Sequence, residues 1–213
     1  PQGGVLSPSL FNLYLSDIPT PTNPIINLTG YADDITITAT HTNYRTAERI
    51  LQPYLTTITD WATQNNLILN KNKTQTTLFT PDPAEYSKSL NLQIDNKILA
   101  TNPFPLILGL TLDPKLTFAE HIKYTKTKAY KTIKIYKALS GTSLGENKET
   151  LIHTYKSITR PIIEYACTTW VPVITISFNH LQIVQNQIAC IATGHSADTN
   201  NNTLNNEAKL LPI

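Results

Sequence analysis

Apolar residues follow two different spacings in the first third of the chain. From Asn43 to Asn66 they recur every three or four residues, which predicts a long amphipathic helix. From Ile35 to Thr40 they alternate with threonines, and this period of two predicts a strand with one apolar and one polar face. The segment from Ile25 to Thr40 therefore predicts two strands around a turn, with Tyr31–Asp34 at the tip.

Shorter elements surround this predicted hairpin. Ser7 followed by Pro8 is a typical helix start, and the helix is expected to run to about Asp17. Further strands are predicted at Leu67–Leu69, Thr76–Phe79, Leu92–Ile94, Lys97–Leu99 and Leu106–Leu112. Asp95-Asn96 has the composition of a two-residue hairpin turn. Helices mixed with short, mostly antiparallel strands predict an α+β fold.

The pattern becomes entirely helical after Pro114. Thr117–Glu120 matches a capping box, and the helix that it opens is expected to reach Ser140, with Gly141 as its stop. Three more helices are predicted, over 146–159, from residue 161 onward and over 179–191. The tail over 196–206 is rich in Asn and Thr, which favours a loop or poor order.

Charge is distributed unevenly between these two halves. The chain has 17 basic and 15 acidic residues, but Lys115 to Arg160 holds ten of the basic and three of the acidic ones, a local excess of +7. Such asymmetry is typical of a surface that binds a polyanion. A solvated, lysine-rich helix face would give the same excess, so charge alone leaves both interpretations open.

Composition limits the remaining classes. With 40% apolar residues the chain can bury a core, and no apolar run approaches the roughly 20 residues that a membrane helix needs. A soluble intracellular protein is expected, and no targeting motif distinguishes nucleus from cytoplasm. Cys167 and Cys190 predict buried thiols, because their spacing from His180 and His195 matches no zinc motif. Pro1 in place of Met predicts that residues are missing upstream.

The tip of the predicted hairpin carries two adjacent carboxylates, Asp33 and Asp34. Adjacent aspartates repel each other and are poor strand residues, so their place between apolar strands points to a bound cation. Mg²⁺ binds through one or two carboxylates and completes its coordination with water and substrate phosphates. In nucleotidyl transfer two such ions act on the attacking and leaving oxygens. A Tyr-x-Asp-Asp string alone is a weak signal, since Asp pairs also mark plain turns.

The order of several further motifs strengthens that signal. PQGGVLSPSLFNLYLSDIP, GYADDITI, NKNKT and LGLTLD follow one another and resemble the later palm motifs of reverse transcriptases. The passage of LGLTLDPKLTFAEHI into a lysine-rich helix is similar to non-LTR retrotransposon polymerases of the Jockey type. YKSITRPIIEYACTTW, LQIVQNQIACIATG and NNEAKLLPI are similar to the region after the polymerase in that group. A group II intron reverse transcriptase shares some of these motifs and remains an alternative.

The resemblance implies roles for individual residues around the predicted tip. Asp33 would bind the two catalytic Mg²⁺ ions, Asp34 would order the turn and assist in metal binding, and Tyr31 would lie near the primer end. Gln2 and Gly3 would line the pocket where the template base pairs with the incoming nucleotide, since a glycine backbone lets a base pair approach closely.

Residues further along the chain receive roles from the same resemblance. Lys73 would lie near the triphosphate as a general acid or a point charge, although Lys71 is a neighbouring candidate. Leu108, Gly109 and Leu110 would support the primer strand, or else form one ordinary buried strand with a glycine for close packing. The helix from Thr117 to Ser140 would be the first thumb helix. Its lysines Lys126, Lys128 and Lys134 would neutralise phosphates of the template–primer duplex.

The implied fold is part of a right-hand polymerase. Residues 1–114 would be the C-terminal part of the palm, 115–160 a basic helical thumb, and 161–213 a helical region after the polymerase. The implied reaction is RNA-directed DNA synthesis from an RNA template, a DNA primer and deoxynucleoside triphosphates, within a longer polyprotein. The family also needs an upstream aspartate and finger elements, so we expect these residues alone to be inactive. A non-catalytic nucleic-acid-binding remnant of a degraded element is the second alternative.

Overall fold

Two compact units make up the chain. The computed structural model describes residues 3–141, 145–170, 178–196 and 198–213, and these fall into a unit of Pro1–Pro103 and a unit of Phe104–Ile213. Both contain helices and small antiparallel sheets, so the α+β class is confirmed. No helix in the described ranges is both long and apolar enough to cross a bilayer. The predicted boundaries at 114 and 160 were drawn between functional parts of a polymerase and not between compact units, so they stay a prediction.

The first unit contains two long elements and several two-residue strands. Its helices are α1 (Ser7–Leu15) and α2 (Tyr44–Gln64), with one 3₁₀ turn at Pro83–Glu85. Its strands are β1 (Ile26–Tyr31), β2 (Asp34–Ala39), β3 (Gln75–Thr76), β4 (Gln93–Ile94), β5 (Lys97–Ile98) and β6 (Ala100–Thr101). β1 pairs with β2 and β4 with β5 in antiparallel hairpins, whereas β3 and β6 pair in parallel.

The predicted hairpin is confirmed as β1–β2. Residues directly opposite each other in the register share one face, and the apolar pairs include Leu28 with Ile37 and Gly30 with Ile35. This face packs toward α2, where Tyr54 and Ile58 are buried in the same cluster. The apolar face of the hairpin is thus held by packing against α2, the helix that follows it in sequence.

α2 confirms the predicted amphipathic helix and shows why it begins and ends where it does. The side chain of Asn43 caps its start by accepting a hydrogen bond from the Arg45 N–H. At its end Asn66 adopts a left-handed φ of 56°, and the Leu67 N–H donates to the Ala62 carbonyl, as in a Schellman motif. The hydroxyl of buried Tyr54 donates to the Pro19 carbonyl at 2.6 Å.

Three predictions for the first unit need correction. Ser7 does not cap α1: the N-cap is Leu6, and no side chain caps that end. Leu67–Leu69 forms no strand, because the chain leaves α2 through the left-handed Asn66 and Leu69 then packs onto the core in an irregular conformation. The strand predicted over Thr76–Phe79 is reduced to β3. The hairpin turn at Asp95-Asn96 is confirmed, with φ of 45° and 61° at its two residues.

The second unit is mainly helical. Its strands β7 (Leu106–Ile107) and β8 (Leu110–Thr111) form a small antiparallel hairpin. Its helices are α3 (Ala119–Leu139), α4 (Lys148–Thr154), α5 (Arg160–Glu164), α6 (Cys167–Trp170), α7 (Phe178–Thr193) and α8 (Asn201–Ala208). The single strand predicted over Leu106–Leu112 is therefore wrong, because positive φ values at Leu108 and Gly109 turn the chain back on itself.

One hydrophobic core holds this second unit together. The inner face of α3 buries Ile122, Ala129 and Ile133 against residues from α4 to α8, including Leu181 and Ile188 of α7, which are fully buried. Polar groups are enclosed as well: the Thr159 hydroxyl lies 2.7 Å from that of Thr132 and 2.5 Å from that of Tyr136. Burial raises the pKa of Tyr136, since the phenolate would lose its hydration.

The helix starts and breaks of this unit differ from those predicted. Thr117 does not form a capping box, because its N–H and hydroxyl donate to the Asp113 carboxylate and Phe118, at φ 56°, is the N-cap. A π-turn at Tyr155–Thr159 joins α4 directly to α5. Proline 161 explains this wider turn, since its ring would clash with the carbonyl four residues earlier in a regular helix.

The Asn- and Thr-rich tail is ordered, contrary to prediction. The side chain of Asn200 caps α8 by accepting from the Asn202 N–H, and Leu204 and Ala208 are buried in the core. The Gln185 amide, itself fully buried, donates at 3.1 Å both to the Asn205 side chain and to the Leu211 carbonyl. Two apolar contacts and these hydrogen bonds fix a segment whose composition resembles a loop.

Candidate functional site

The tip of the β1–β2 hairpin is a tight two-residue turn. Tyr31 and Asp34 form the last pair of the ladder, and Ala32 and Asp33 make the turn between them. Ala32 has a φ of 51°, the sign that two-residue hairpin turns need at their first position to match the twist of the strands. Alanine in this region costs on the order of 1 kcal/mol relative to the ordinary right-handed conformation. The turn is therefore held under mild strain.

Both aspartates at this tip are exposed. Asp33 lies in the turn and Asp34 is the first residue of β2. Among the described residues, neither carboxylate takes part in a hydrogen bond or ion pair, so all four oxygens are available to a ligand. Two adjacent hard oxygen donors fit Mg²⁺, which is bound by one or two carboxylates together with water and phosphate. No group of three or more possible metal ligands occurs in the described ranges.

The hairpin separates a polar from an apolar face. Tyr31 and Asp34 lie on the polar face in line with Thr29 and Thr36, and Tyr31 is 66% exposed. The opposite face contributes Gly30 and other residues to an open groove of about 360 Å³ against the end of α1. The carboxylate of Asp34 therefore projects on the side of the hairpin that does not pack on the core.

The glycine loop before α1 is partly described. Gly3 is exposed, has a φ of 84°, and a Cβ added there would meet no atom within 4 Å. Gln2, the other predicted residue of the nucleotide pocket, lies outside the described residues. A positive φ favours glycine at position 3, and the free space beside it is compatible with the close approach of a base pair.

The structure distinguishes Lys73 from its neighbour Lys71. Lys71 forms an ion pair with Asp95 at 2.6 Å, and its side chain is only 34% exposed. Lys73 is exposed, and no described residue pairs with its ammonium group. The side chain of Asn70 shapes the loop by accepting from the N–H groups of Asn72 and Lys73. The lysine named by the motif is thus the one that is free to meet an anionic ligand.

Leu108, Gly109 and Leu110 form the tip and the return strand of the β7–β8 hairpin. The φ values of 46° at Leu108 and 80° at Gly109 are those of a turn with two left-handed residues. Leu108 is 47% exposed, whereas Leu110 packs against the core of the second unit. The alternative of an ordinary buried strand is excluded, because the glycine lies in an exposed turn.

The outer face of α3 carries lysines with hardly any acidic partners. Lys123, Lys128, Lys131, Lys134 and Lys137 are exposed and Lys126 is half-buried. Of these six lysines, only Lys123 forms an ion pair with a described residue, Glu120, at 3.7 Å. At about 100° per residue, Lys126 and Lys134 lie on one side of this face and Lys128 on the other. Tyr124 and Tyr130 are exposed between them.

Comparison with known families decides what these motifs belong to. The sequence pattern of the family described as "Reverse transcriptase (RNA-dependent DNA polymerase)" matches residues 1–138, more than half of the chain. The chain belongs to the reverse transcriptase family. Enzymes of this family use divalent metal ions, which agrees with the exposed aspartate pair at the hairpin tip.

Curated relatives of this chain come from mobile elements of flies. The chain is 29% identical, over its whole length, to the probable RNA-directed DNA polymerase from transposon X-element of Drosophila melanogaster, of which it covers 24%. It is 28% identical over 88% of its length to the corresponding protein of transposon BS, and 28% identical over 87% to that of mobile element jockey from the same fly. These matches confirm the resemblance to non-LTR retrotransposon polymerases. The chain spans about a quarter of the relatives' length, and no solved structure matches it.

Several contacts around the Leu108-Gly109 turn of the second unit have no signature in the sequence. His121, buried on α3, accepts a hydrogen bond from the Thr111 N–H of β8 at 3.4 Å, and its ring lies 6.1 Å from that of Trp170. Desolvation by burial lowers the pKa of His121. The hydroxyl of Tyr165 donates to the Leu108 carbonyl at 2.7 Å. These contacts join residues far apart in sequence, so no local spacing predicts them.

Proposed function

We propose that this chain supplies part of the active site of an RNA-directed DNA polymerase, with Asp33 and Asp34 as ligands of catalytic Mg²⁺. The observation that carries the proposal is the tip of the β1–β2 hairpin. There two exposed carboxylates, one in the tight turn and one at the start of β2, have no partner among the described residues and lie inside the segment that matches the family.

The carboxylates have a specific task in this proposal. When bound, two Mg²⁺ ions would stabilise charge on the attacking and leaving oxygens of an in-line displacement. Asp33 presents its oxygens from the turn and Asp34 from the polar face of β2, so the pair can approach a cation from one end of a rigid hairpin. Tyr31, opposite Asp34, would lie beside the primer end.

Other residues would bind the substrates, which we take to be an RNA template, a DNA primer and deoxynucleoside triphosphates. Gly3, with Gln2, would leave room for the nascent base pair. Lys73, whose ammonium has no partner among the described residues, would lie near the triphosphate as a charge or a general acid. Leu108, Gly109 and Leu110 would support the primer strand. Residues 1–114 would accordingly be part of the palm of a right-hand polymerase.

The lysines of α3 would hold the duplex without reading its sequence. Contacts to phosphate position a nucleic acid but carry no base information, which suits an enzyme that copies any template. Residues 115–160 would then be the thumb, and residues 161–213 the region that follows the polymerase in the parent polyprotein. Of the three predicted phosphate contacts, Lys126, Lys128 and Lys134, the first and the third lie on one side of α3, where a single duplex can meet both.

These 213 residues alone are expected not to extend a primer. The described residues offer two carboxylates for the metal site and no third ligand near them. Incubation of the purified chain with primer, template, nucleotides and Mg²⁺ should therefore give no product. Primer extension under these conditions would contradict the proposal that the site is completed by other residues.

The decisive experiment restores those other residues from a relative. The matched quarter of the X-element polymerase is replaced by this chain, and DNA synthesis and template–primer affinity of the chimaera are measured. Asp33→Asn should abolish synthesis and leave the affinity unchanged, since it removes a metal ligand only. Asp60→Asn, an exposed aspartate on α2, is the matched control and should leave both unchanged.

Two other results are informative. A chimaera that binds template–primer but makes no DNA would favour a non-catalytic nucleic-acid-binding remnant. Synthesis that survives Asp33→Asn would remove Asp33 from the metal site.

A further inference from the structure

Tyr165 lies outside the residues that match the family, yet its side chain holds the tip of the β7–β8 hairpin. Its hydroxyl donates to the Leu108 carbonyl at 2.7 Å, across 57 positions of sequence. Its ring lies over Gly109, where an added Cβ would come within 3.2 Å of the ring edge. Both residues of the turn are therefore in contact with the same aromatic side chain.

The turn needs such a restraint. Leu108 has a φ of 46°, a conformation that a leucine enters only at a cost, and Gly109 follows at 80°. Strained backbone of this kind persists when surrounding contacts fix it. A hydrogen bond to the Leu108 carbonyl fixes the plane of the peptide between the two turn residues, and the ring lies directly against Gly109.

Tyr165 is itself held by buried neighbours. The indole N–H of Trp170 donates to the Tyr165 carbonyl at 2.9 Å, and Trp170 is only 2% exposed. The Trp170 ring contacts that of His121, which in turn accepts from the Thr111 N–H. The tip of the hairpin and its return strand β8 are thus connected through the same three side chains, Tyr165, Trp170 and His121.

We propose that Tyr165 is a positioning residue for primer support: it holds the Leu108-Gly109 turn in the orientation that contacts the primer strand. This inference rests on the proposed function of Leu108, Gly109 and Leu110. Tyr165 lies beyond residue 138, where the family match ends, yet it contacts the proposed primer support. The segment after the family match would therefore take part in polymerase function.

The test uses Tyr165→Phe in the 213-residue chain, which removes the hydroxyl and keeps the ring. Hydrogen–deuterium exchange over residues 106–111 should become roughly fivefold faster, the fold-change expected for one lost hydrogen bond. Exchange in α7 and the midpoint of thermal unfolding should change little. Tyr130→Phe is the matched control: this tyrosine is 51% exposed in the same unit, and its hydroxyl bonds to no described residue. It should leave exchange over 106–111 unchanged.

A second readout follows the primer. A primer ending in 4-thiothymidine, annealed to an RNA template, is photocrosslinked to the chain, and the crosslinked peptides are identified. The wild-type chain should crosslink through residues 106–111, and Tyr165→Phe should reduce that yield. Gly109→Ala, which places a methyl group 3.2 Å from the edge of the Tyr165 ring at a φ of 80°, should accelerate the same exchange.

The outcomes separate the inference from the function on which it rests. Unchanged exchange over 106–111 in Tyr165→Phe overturns the positioning role and leaves primer support untouched. Faster exchange throughout the second unit, with a lower unfolding midpoint, also overturns it, since Tyr165 would then be a structural residue only. If the wild-type hairpin never crosslinks to the primer, the proposed primer support fails and the inference fails with it.

Discussion

Neutralising the lysines of α3 gives the most quantitative test of the proposed duplex-binding surface. The variant is Lys126→Gln, Lys128→Gln and Lys134→Gln in one chain. Each lysine that neutralises a phosphate contributes about 0.9 to the slope of log affinity against log salt concentration. If all three contacted phosphates, the slope would fall by about 2.7.

The geometry of the helix lowers this expectation. At about 100° per residue, Lys126 and Lys134 lie about 80° apart, whereas Lys128 lies about 120° from Lys134 and about 160° from Lys126. A duplex lying along one side of α3 can therefore meet Lys126 and Lys134 together but not all three. The expected loss of slope is about 1.8. If the variant and the wild type bind equally at 1 M salt, this loss makes the variant bind roughly 60-fold more weakly than the wild type at 0.1 M salt.

The assay is fluorescence anisotropy with an RNA–DNA duplex over a series of salt concentrations. The control replaces three exposed lysines outside the proposed thumb, Lys88→Gln, Lys97→Gln and Lys209→Gln, and lowers the net charge of +2 by the same three units. Its slope should stay near that of the wild type. An equal change of slope in both triple variants would show that only net charge matters, and an unchanged slope in the α3 variant would remove these lysines from the interface.

Three further outcomes follow from the described contacts. Burial lowers the pKa of His121, so the unfolded chain takes up its proton more readily, and stability should fall as pH drops below about 6.5; thermal unfolding of His121→Gln should show a weaker loss between neutral and acidic pH, and an equal loss would contradict this. Leu204→Ala should reduce the free energy of unfolding in urea by about 3 kcal/mol, and the exposed control Asn202→Ala by far less; similar values would mean that α8 adds nothing to the core. Ala32→Val places a β-branched residue at a φ of 51° and should accelerate amide exchange in β1–β2, whereas Ala32→Gly should be tolerated.

Periodicity predicted those elements whose sequence follows one geometry over many residues. The helix over 43–66 and the hairpin ending at Ala39 are both confirmed, because a spacing of three to four or of two residues directly reflects which face is buried. The hairpin at Asp95-Asn96 is confirmed for another reason: Asp and Asn enter the left-handed conformation at low cost. Local chemistry was sufficient in each of these cases.

Long-range contacts account for the predictions that were wrong. Composition made the tail from Ser196 a loop, yet Leu204 and a hydrogen bond from Gln185 order it as α8. Leucine rarely adopts the left-handed conformation of a turn, so the sequence around Leu108 predicts a strand. The turn is held by Tyr165, 57 positions away, whose hydroxyl donates to the Leu108 carbonyl. A long-range contact also distinguishes Lys71 from Lys73, because Lys71 forms an ion pair with Asp95, which no local sequence pattern links to either lysine.

For the candidate site, the sequence predicts the aspartate pair and the roles of its motif neighbours, and these stay predictions; the conformations of these residues could not be read from the sequence. The motif order predicted the family, and the family match confirmed it. The strain at Ala32 was not predicted, because alanine carries no signal for a positive φ. Glycine or asparagine at that position would have indicated the turn type in advance.

The shared core of the second unit has a genetic consequence. The inner face of α3 packs against α7, and α8 packs against α7 in turn; both helices lie beyond residue 138, where the family match ends. A missense change in those helices would loosen the helix that carries the lysines, so under the proposed function it would be recorded as a defect in DNA synthesis although it lies outside the stretch that matches the polymerase family. Mutation screens of such elements that stop at residue 138 would overlook this class of loss-of-function alleles.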